Sequence, residues 1–190
     1  MHLVRLIALA AVIAAAALPA RAADDILDAI DQARKAYQSG DLGEAKQQLD
    51  TASQLIAQKN AEGFATLLPE PLAGWTADKA QSQAVGTAVF GGASSASRNY
   101  RNSKGDSVEV TITGDSAMLT AMAPILNNPM LAGAMGKLVK VGDQRAIVAQ
   151  NGDVTMVVNN KFVVTVHGSA DGAAKLAYAN AINIAKLSKM

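Results

Sequence analysis

The eighteen residues from Gly152 to Ser169, GDVTMVVNNKFVVTVHGS, constrain the fold more than any other stretch. Two β-branched apolar runs, Val154–Val158 and Lys161–Val166, flank Asn159-Asn160. Asn tolerates positive φ, which both central positions of a two-residue type I′ turn require, so the stretch reads as a β-hairpin. Such a turn sets Val158 opposite Lys161, Met156 opposite Val163 and Val154 opposite Thr165. It leaves Phe162, Val164, Val166 and Val157 on the other face. Both faces are then largely apolar, which places the hairpin centrally in a sheet covered on at least one side.

The start of the chain reads as an export signal. His2 and Arg5 open it, Leu6–Leu18 is an unbroken apolar run of thirteen residues, and Pro19 precedes the small-x-small triplet Ala20-Arg21-Ala22. Thirteen residues fall short of the ~20 that span a bilayer. No Cys follows, which excludes lipid anchoring there, and the mature chain is predicted to start at Ala23 in the periplasm with no membrane span. Arg5 and Arg21 leave with the signal, so the seventeen Lys and Arg fall to fifteen against sixteen Asp and Glu. A near-neutral chain with scattered charge carries neither a nucleic-acid footprint nor an anionic-membrane patch. With no Cys in the chain, disulfides and thiolate chemistry are also excluded.

Residues 23–63 read as two helices. Asp24 and Asp25 favour the N-terminus of the first, and Ile26, Leu27, Ile30, Ala33 and Tyr37 recur at three- and four-residue spacing as one stripe. Ser39-Gly40 ends it and Asp41 caps the second, whose stripe is Leu42, Ala45, Leu49, Ala52, Leu55 and Ile56. The product is an antiparallel helical hairpin. Its join, Tyr37 to Ala45 with Leu49 and Ala52, resembles the turn and second helix of a tetratricopeptide repeat over about thirty residues, with no second copy in the chain. That resemblance leaves two roles open, a peptide-binding hairpin centred on Tyr37 and Leu42, or two helices that simply pack.

Leu67-Leu68-Pro69-Glu70-Pro71-Leu72-Ala73-Gly74-Trp75 marks a boundary, because its two prolines forbid helix and favour an extended connection. Trp75, the single Trp, is expected to dock on the sheet. This segment, the Gly91-Gly92 stretch and the β-rich half resemble a family of small exported proteobacterial proteins of no assigned activity. The resemblance covers roughly residues 64–187 and implies no catalytic or binding residue.

Beyond it the pattern turns to strands: Val85–Phe90, Ala96–Arg101, Ser107–Thr113, Lys137–Val141, Arg145–Gln150 and the central hairpin. A helix is predicted over 117–127, ended by Asn127-Asn128-Pro129, then a small-residue loop over 130–136, and a last helix capped by Asp171 or Ser169 that runs to about Leu187. The element order gives an α+β fold: a helical hairpin, then an antiparallel sheet of about six to seven strands with two helices packed on it. The expected division is signal peptide 1–22, hairpin 23–63, Pro-containing linker 64–76 and sheet domain 77–190. The ending, meandering strands then a terminal helix, loosely resembles PsbP/Mog1-like domains, an analogy of element order that implies no site.

Chemistry is sparse. His167 is the one His of the mature chain, with no second His or Cys to complete a catalytic relay. Asp106 with Glu109, and Asp143 with Asp153, lie in or beside turns, where acids are ordinary. No phosphate-binding glycine motif is present, and no cofactor is expected. The exception is methionine: Met118, Met122, Met130 and Met135 fall within eighteen residues, and thioethers suit Cu(I). Met is equally a core filler, and Met118 and Met122 share a helix face with Leu119, Ile125 and Leu126. The reading is therefore a non-enzymatic soluble periplasmic accessory protein that binds another periplasmic or envelope protein, with Tyr37, Leu42 and the four methionines as candidate contact residues. The alternatives are a carrier of a small apolar ligand in a helix–sheet pocket, and Cu(I) binding through the methionine cluster.

Overall fold

The computed structural model describes residues 24–85, 93–114, 119, 124–125 and 128–190. The predicted signal peptide, the apolar run over 86–90 with Gly91-Gly92, and most of the helix over 117–127, Met118 and Met122 included, lie outside the described residues.

Two helices open the described chain, α1 (Asp25–Gln38) and α2 (Leu42–Ala65). Eight antiparallel strands follow: β1 (Trp75–Ala77), β2 (Gln81–Val85), β3 (Ala93–Asn102), β4 (Ser107–Gly114), β5 (Lys137–Val141), β6 (Gln144–Val148), β7 (Val154–Val158) and β8 (Phe162–His167). Three shorter helices are α3 (Pro129–Met135), before β5, and α4 (Gly172–Ala181) and α5 (Ile184–Leu187), after β8. The class is α+β, with a strand more than expected because Trp75–Ala77 already pairs with β3. In the sheet, β1 and β2 share one edge of β3, and the order continues β3-β4-β8-β7-β6-β5. Short turns join β3 to β4, β5 to β6, β6 to β7 and β7 to β8, whereas β4 pairs with β8, where the chain returns to the middle of the sheet.

The central hairpin corrects the sequence-based register. Asn159 and Asn160 both take positive φ, 51° and 50°, and Lys161 N–H donates to the Val158 carbonyl at 3.0 Å, so the predicted turn forms. The strands, however, pair Val158 with Phe162, Met156 with Val164 and Val154 with Val166. Lys161 is an extra, exposed residue between the turn and β8. The physical reason is burial: a one-residue slip moves a whole strand's side chains to the other face. Here the slip puts Val154, Met156, Val158, Phe162, Val164 and Val166 on one buried face, where a two-residue loop would split them between two.

That face is the core. Tyr100, Val108, Val110 and Ile112 extend it across β3 and β4, and Phe64, Leu67, Leu68, Tyr178, Ile182 and Leu187 cover it. Phe64, in the last turn of α2, meets Phe162 edge-to-face at 5.4 Å, a geometry worth ~1 kcal/mol beyond area burial. Gly114 is glycine for this reason, since a Cβ there would lie 2.9 Å from the Phe64 ring. The opposite face carries a small cluster, Ala132 and Ile147 with Leu138 and Val157 against them.

Two element assignments change. Residues 129–135 form α3 rather than a loop: Pro129 occupies the first turn, and the Asn128 side chain accepts from Met130 and Leu131 N–H at 3.0 and 3.4 Å. Asn128-Pro129 thus starts a helix, since Asn caps orphan donors and Pro lacks one. The last helix is broken at Ile182, which turns extended, with Asn183 capping α5.

The register yields a direct check. Deleting Lys161 joins Asn160 to Phe162 and keeps Val158 opposite Phe162, so the variant should fold with an unfolding free energy within about 1 kcal/mol of wild type in urea. Loss of the soluble fold would contradict the extra-residue turn.

Candidate functional site

The helical hairpin is built locally as its sequence dictates. Asp24 caps α1, accepting from Ile26 and Leu27 N–H at 3.2 and 3.4 Å, and Asp41 caps α2, accepting from Glu44 N–H at 2.9 Å. Between them Gly40 takes φ 84°, the left-handed conformation that closes the turn. The helices run antiparallel: the start of α1 (Asp24, Asp25, Ile26) and the far half of α2 (Leu55, Gln58, Lys59, Glu62) line one shallow cleft of about 430 Å³.

What holds them together differs from the predicted stripes. The buried residues are Ala29, Ala33 and Ala36 on α1 and Ala45 and Ala52 on α2. Large side chains of the two stripes are exposed, the contact candidates Tyr37 (69 %) and Leu42 (65 %) among them, with Leu27 at 59 %, Leu49 at 55 %, and Ile30 and Ile56 also exposed. The physical reason is the small seam. Methyl groups at helical spacing let two backbones approach closely, and the longer neighbours are then turned sideways. At about 100° per residue, Ile30 and Tyr37 lie to one side of the α1 seam, and Leu42, Leu49 and Ile56 lie to one side of the α2 seam. Because the helices are antiparallel, these are the same side. The hairpin therefore has one apolar flank, and its other side carries Asp28, Lys35, Glu44 and Glu62.

Tyr37 and Leu42 belong to this flank, at the turn end. Ile30, Leu49 and Ile56 extend it, and their exposure was not read from the sequence, because helical spacing gives a face without its direction. The alanines at 29, 33, 36, 45 and 52 were the available signal, marking a seam too tight for leucine. Met130 and Met135 lie elsewhere, exposed on α3, which packs on β5 and β6 over the second face of the sheet. Five residues apart, they point about 140° away from each other and share no face. Met118 and Met122 are outside the described residues. The structure does not bring the hairpin residues and Met130 or Met135 together. Among the described residues, no group of three or more His, Asp or Glu is placed to hold a metal ion.

The polar clusters have structural partners. His167 Nε2 stands 3.9 Å from Glu109 Oε2, both partly exposed. Asp106 accepts from the Asn102 side chain at 2.8 Å inside its turn. Lys175, 3 % exposed, donates to Asp153 Oδ1 at 2.7 Å and to the Asn151 carbonyl at 3.0 Å, which fastens α4 to the β6–β7 turn. Burial by itself raises the Asp153 pKa, but the hydrogen bonds from Lys175 and Asn151 outweigh it and hold the carboxyl below its ordinary value. Burial likewise pushes the Tyr100 and Tyr178 hydroxyls up, so both stay protonated. A second cavity, about 320 Å³, lies between α2 and the β7–β8 turn, lined by Asn60, Phe64, Lys161, Phe162 and Met190.

Comparison with protein-family models, with curated proteins and with solved structures finds no match for this chain.

The Lys175–Asp153 pair gives a pH-dependent expectation. A folded-state pKa below the unfolded 3.8 means the pair stabilises above that pH and the contribution is lost as pH falls through the folded value. Asp153→Asn should cost on the order of 2 kcal/mol at pH 7, discounted because Asp153 is a third exposed and Lys175 keeps the Asn151 carbonyl. In urea melts at pH 7 and pH 3, the gap between variant and wild type should narrow at the lower pH. A gap that widens would contradict the assignment.

Proposed function

We propose that this chain is a non-enzymatic accessory protein of the periplasm that works by protein–protein contact, and that the apolar flank of the α1–α2 hairpin is its contact surface. One observation carries the reading: five large apolar side chains, Ile30, Tyr37, Leu42, Leu49 and Ile56, stand exposed on one side of a hairpin whose seam is alanine. Scattered exposed leucines are ordinary on a protein surface, but a contiguous apolar strip rimmed by charges marks an interaction site. The Asp31–Arg34 and Lys46–Asp50 ion pairs, 3.0 and 2.6 Å and exposed, supply that rim. The hairpin resembles a repeat unit whose relatives bury this kind of side against a neighbour. Export of the chain rests on Met1–Ala22.

A second reading, a carrier of a small apolar ligand, is favoured by the cavity beside Phe64 and Phe162. Its floor is aromatic, and Asn60 and Lys161 stand at its rim, the arrangement of a pocket that orients an amphiphile. Native mass spectrometry of the periplasmic fraction separates the two. The first reading expects a chain beginning at Ala23 with no small molecule, and the second a retained mass lost in Lys161→Glu.

The contact reading makes its own forecast. A photo-reactive residue in place of Leu49 should give protein adducts in intact cells, and one in place of Lys35, on the polar side, should not. Leu42→Lys with Leu49→Lys should abolish adduct formation from Ile56 while shifting stability by less than about 0.5 kcal/mol per site, as exposed substitutions do. Equal adducts from positions 35 and 49 would overturn the surface assignment.

A further inference from the structure

Resting on the contact reading above, we infer that the partner on the hairpin flank is a second copy of this chain, so that the protein works as an antiparallel dimer built on α2. The spacing on α2 carries this. Leu42, Leu49 and Ile56 recur every seven residues, beside the Ala45 and Ala52 that close on α1. A seven-residue spacing keeps these three exposed side chains nearly on one line along the helix. The repeat is also symmetric about Leu49. A two-fold axis through Leu49 sets Leu49 against Leu49 of the partner copy and Leu42 against Ile56 of the partner copy, so the patch complements itself as an isologous interface must. The antiparallel course of α1 then brings the turn end of one α1, with Tyr37, over the open end of the other. The two sheets lie at opposite ends of the assembly.

The area suffices. Leu, Ile and Tyr exposed to about half their extent at five positions present on the order of 600 Å² per copy, so a pair buries roughly 1,200 Å², where specific interfaces begin.

The absence of cysteine makes the test clean. In the mature protein under mild oxidation, Leu49→Cys should form a disulfide-linked dimer, because facing residues at a two-fold axis fall within the Cα separation a disulfide needs. Leu42→Cys alone should not link, whereas Leu42→Cys mixed with Ile56→Cys should. Lys35→Cys, on the polar side, should stay monomeric. Light scattering on wild type should give twice the chain mass at micromolar loading, falling to one chain mass in Leu49→Lys, whose circular dichroism should remain that of the folded chain. A monomeric wild type with no link at position 49, or linking of Leu42→Cys to itself in preference to Ile56→Cys, overturns the dimer. Monomer with photo-adducts to another protein at position 49 overturns self-pairing and leaves the contact reading standing. Monomer with no adduct at all overturns both.

Discussion

The carbonyl of Pro69 is the point on which the two parts of this molecule are joined. It accepts the Tyr100 hydroxyl at 2.6 Å and an Arg98 guanidinium N–H at 3.2 Å, while Arg98 also donates to the Asp78 carbonyl at 2.9 Å. A buried carbonyl left unpaired costs about 1–3 kcal/mol, so the extended Pro69–Pro71 segment can cross the core only where such donors meet it. Around that contact Tyr100 and Tyr178 lie 4.3 Å apart, Trp75 meets Tyr178 edge-on at 5.4 Å, and the Tyr178 hydroxyl accepts from Leu72 N–H at 3.3 Å. Four aromatic or cationic side chains from β1, β3 and α4 thus hold a segment that could not have held itself, lacking a Pro N–H and any helical bonds.

Fixing that segment fixes α2, because Phe64, Leu67 and Leu68 enter the core within five residues of Pro69. The consequence is a helix with two halves. Its last turns belong to the sheet, and Ala61 and Phe64 are buried there. Its first turns carry only α1, through an alanine seam. A buried methyl is worth about 0.8 kcal/mol, a fraction of the ~2 of a buried leucine, so the seam positions α1 without giving it much stability. A helix of fourteen residues is marginal alone in water. The outer half of the hairpin is thereby left short of burial, and its large apolar side chains point at solvent instead of repairing the deficit. An assembly surface is the economical account of both facts, since the residues that α1 and α2 fail to bury intramolecularly are available to a neighbour.

Much of the fold was legible because its signals are local. Asp24, Asp41, Asp171 and Asn159-Asn160 act on donors and φ values within three residues of themselves, and each does what its type prescribes. What failed was tertiary. The alternation in β7 and β8 did not reveal the extra residue Lys161, because a turn of two or three residues satisfies the same Asn-Asn pair and only the shared core face decides between them. Whether the stripe of Leu27, Ile30 and Tyr37 packs inward or faces a partner was left open, because periodicity gives a face and not its direction. Alanines beside it chose the direction, through backbone proximity that no hydropathy pattern encodes. Of the candidate site, Tyr37 and Leu42 were named for their place at the repeat-like turn, and Leu49 and Ile56 were read only as part of the α2 stripe. Lys175, buried beside Asp153, lies among Ala and Leu in a helix where a charge reads as solvent-facing.

Hydrogen exchange, followed residue by residue at dilute and concentrated protein, tests the two-halved hairpin most directly. At dilution the amides of residues 26–52 should exchange well before those of residues 61–65, which should share the protection of β4 and β8, since local opening is cheapest where burial is least. Raising the concentration should slow residues 26–56 selectively. Uniform protection along both helices at dilution, unmoved by concentration, would mean that the hairpin is complete in itself and that its apolar flank covers nothing.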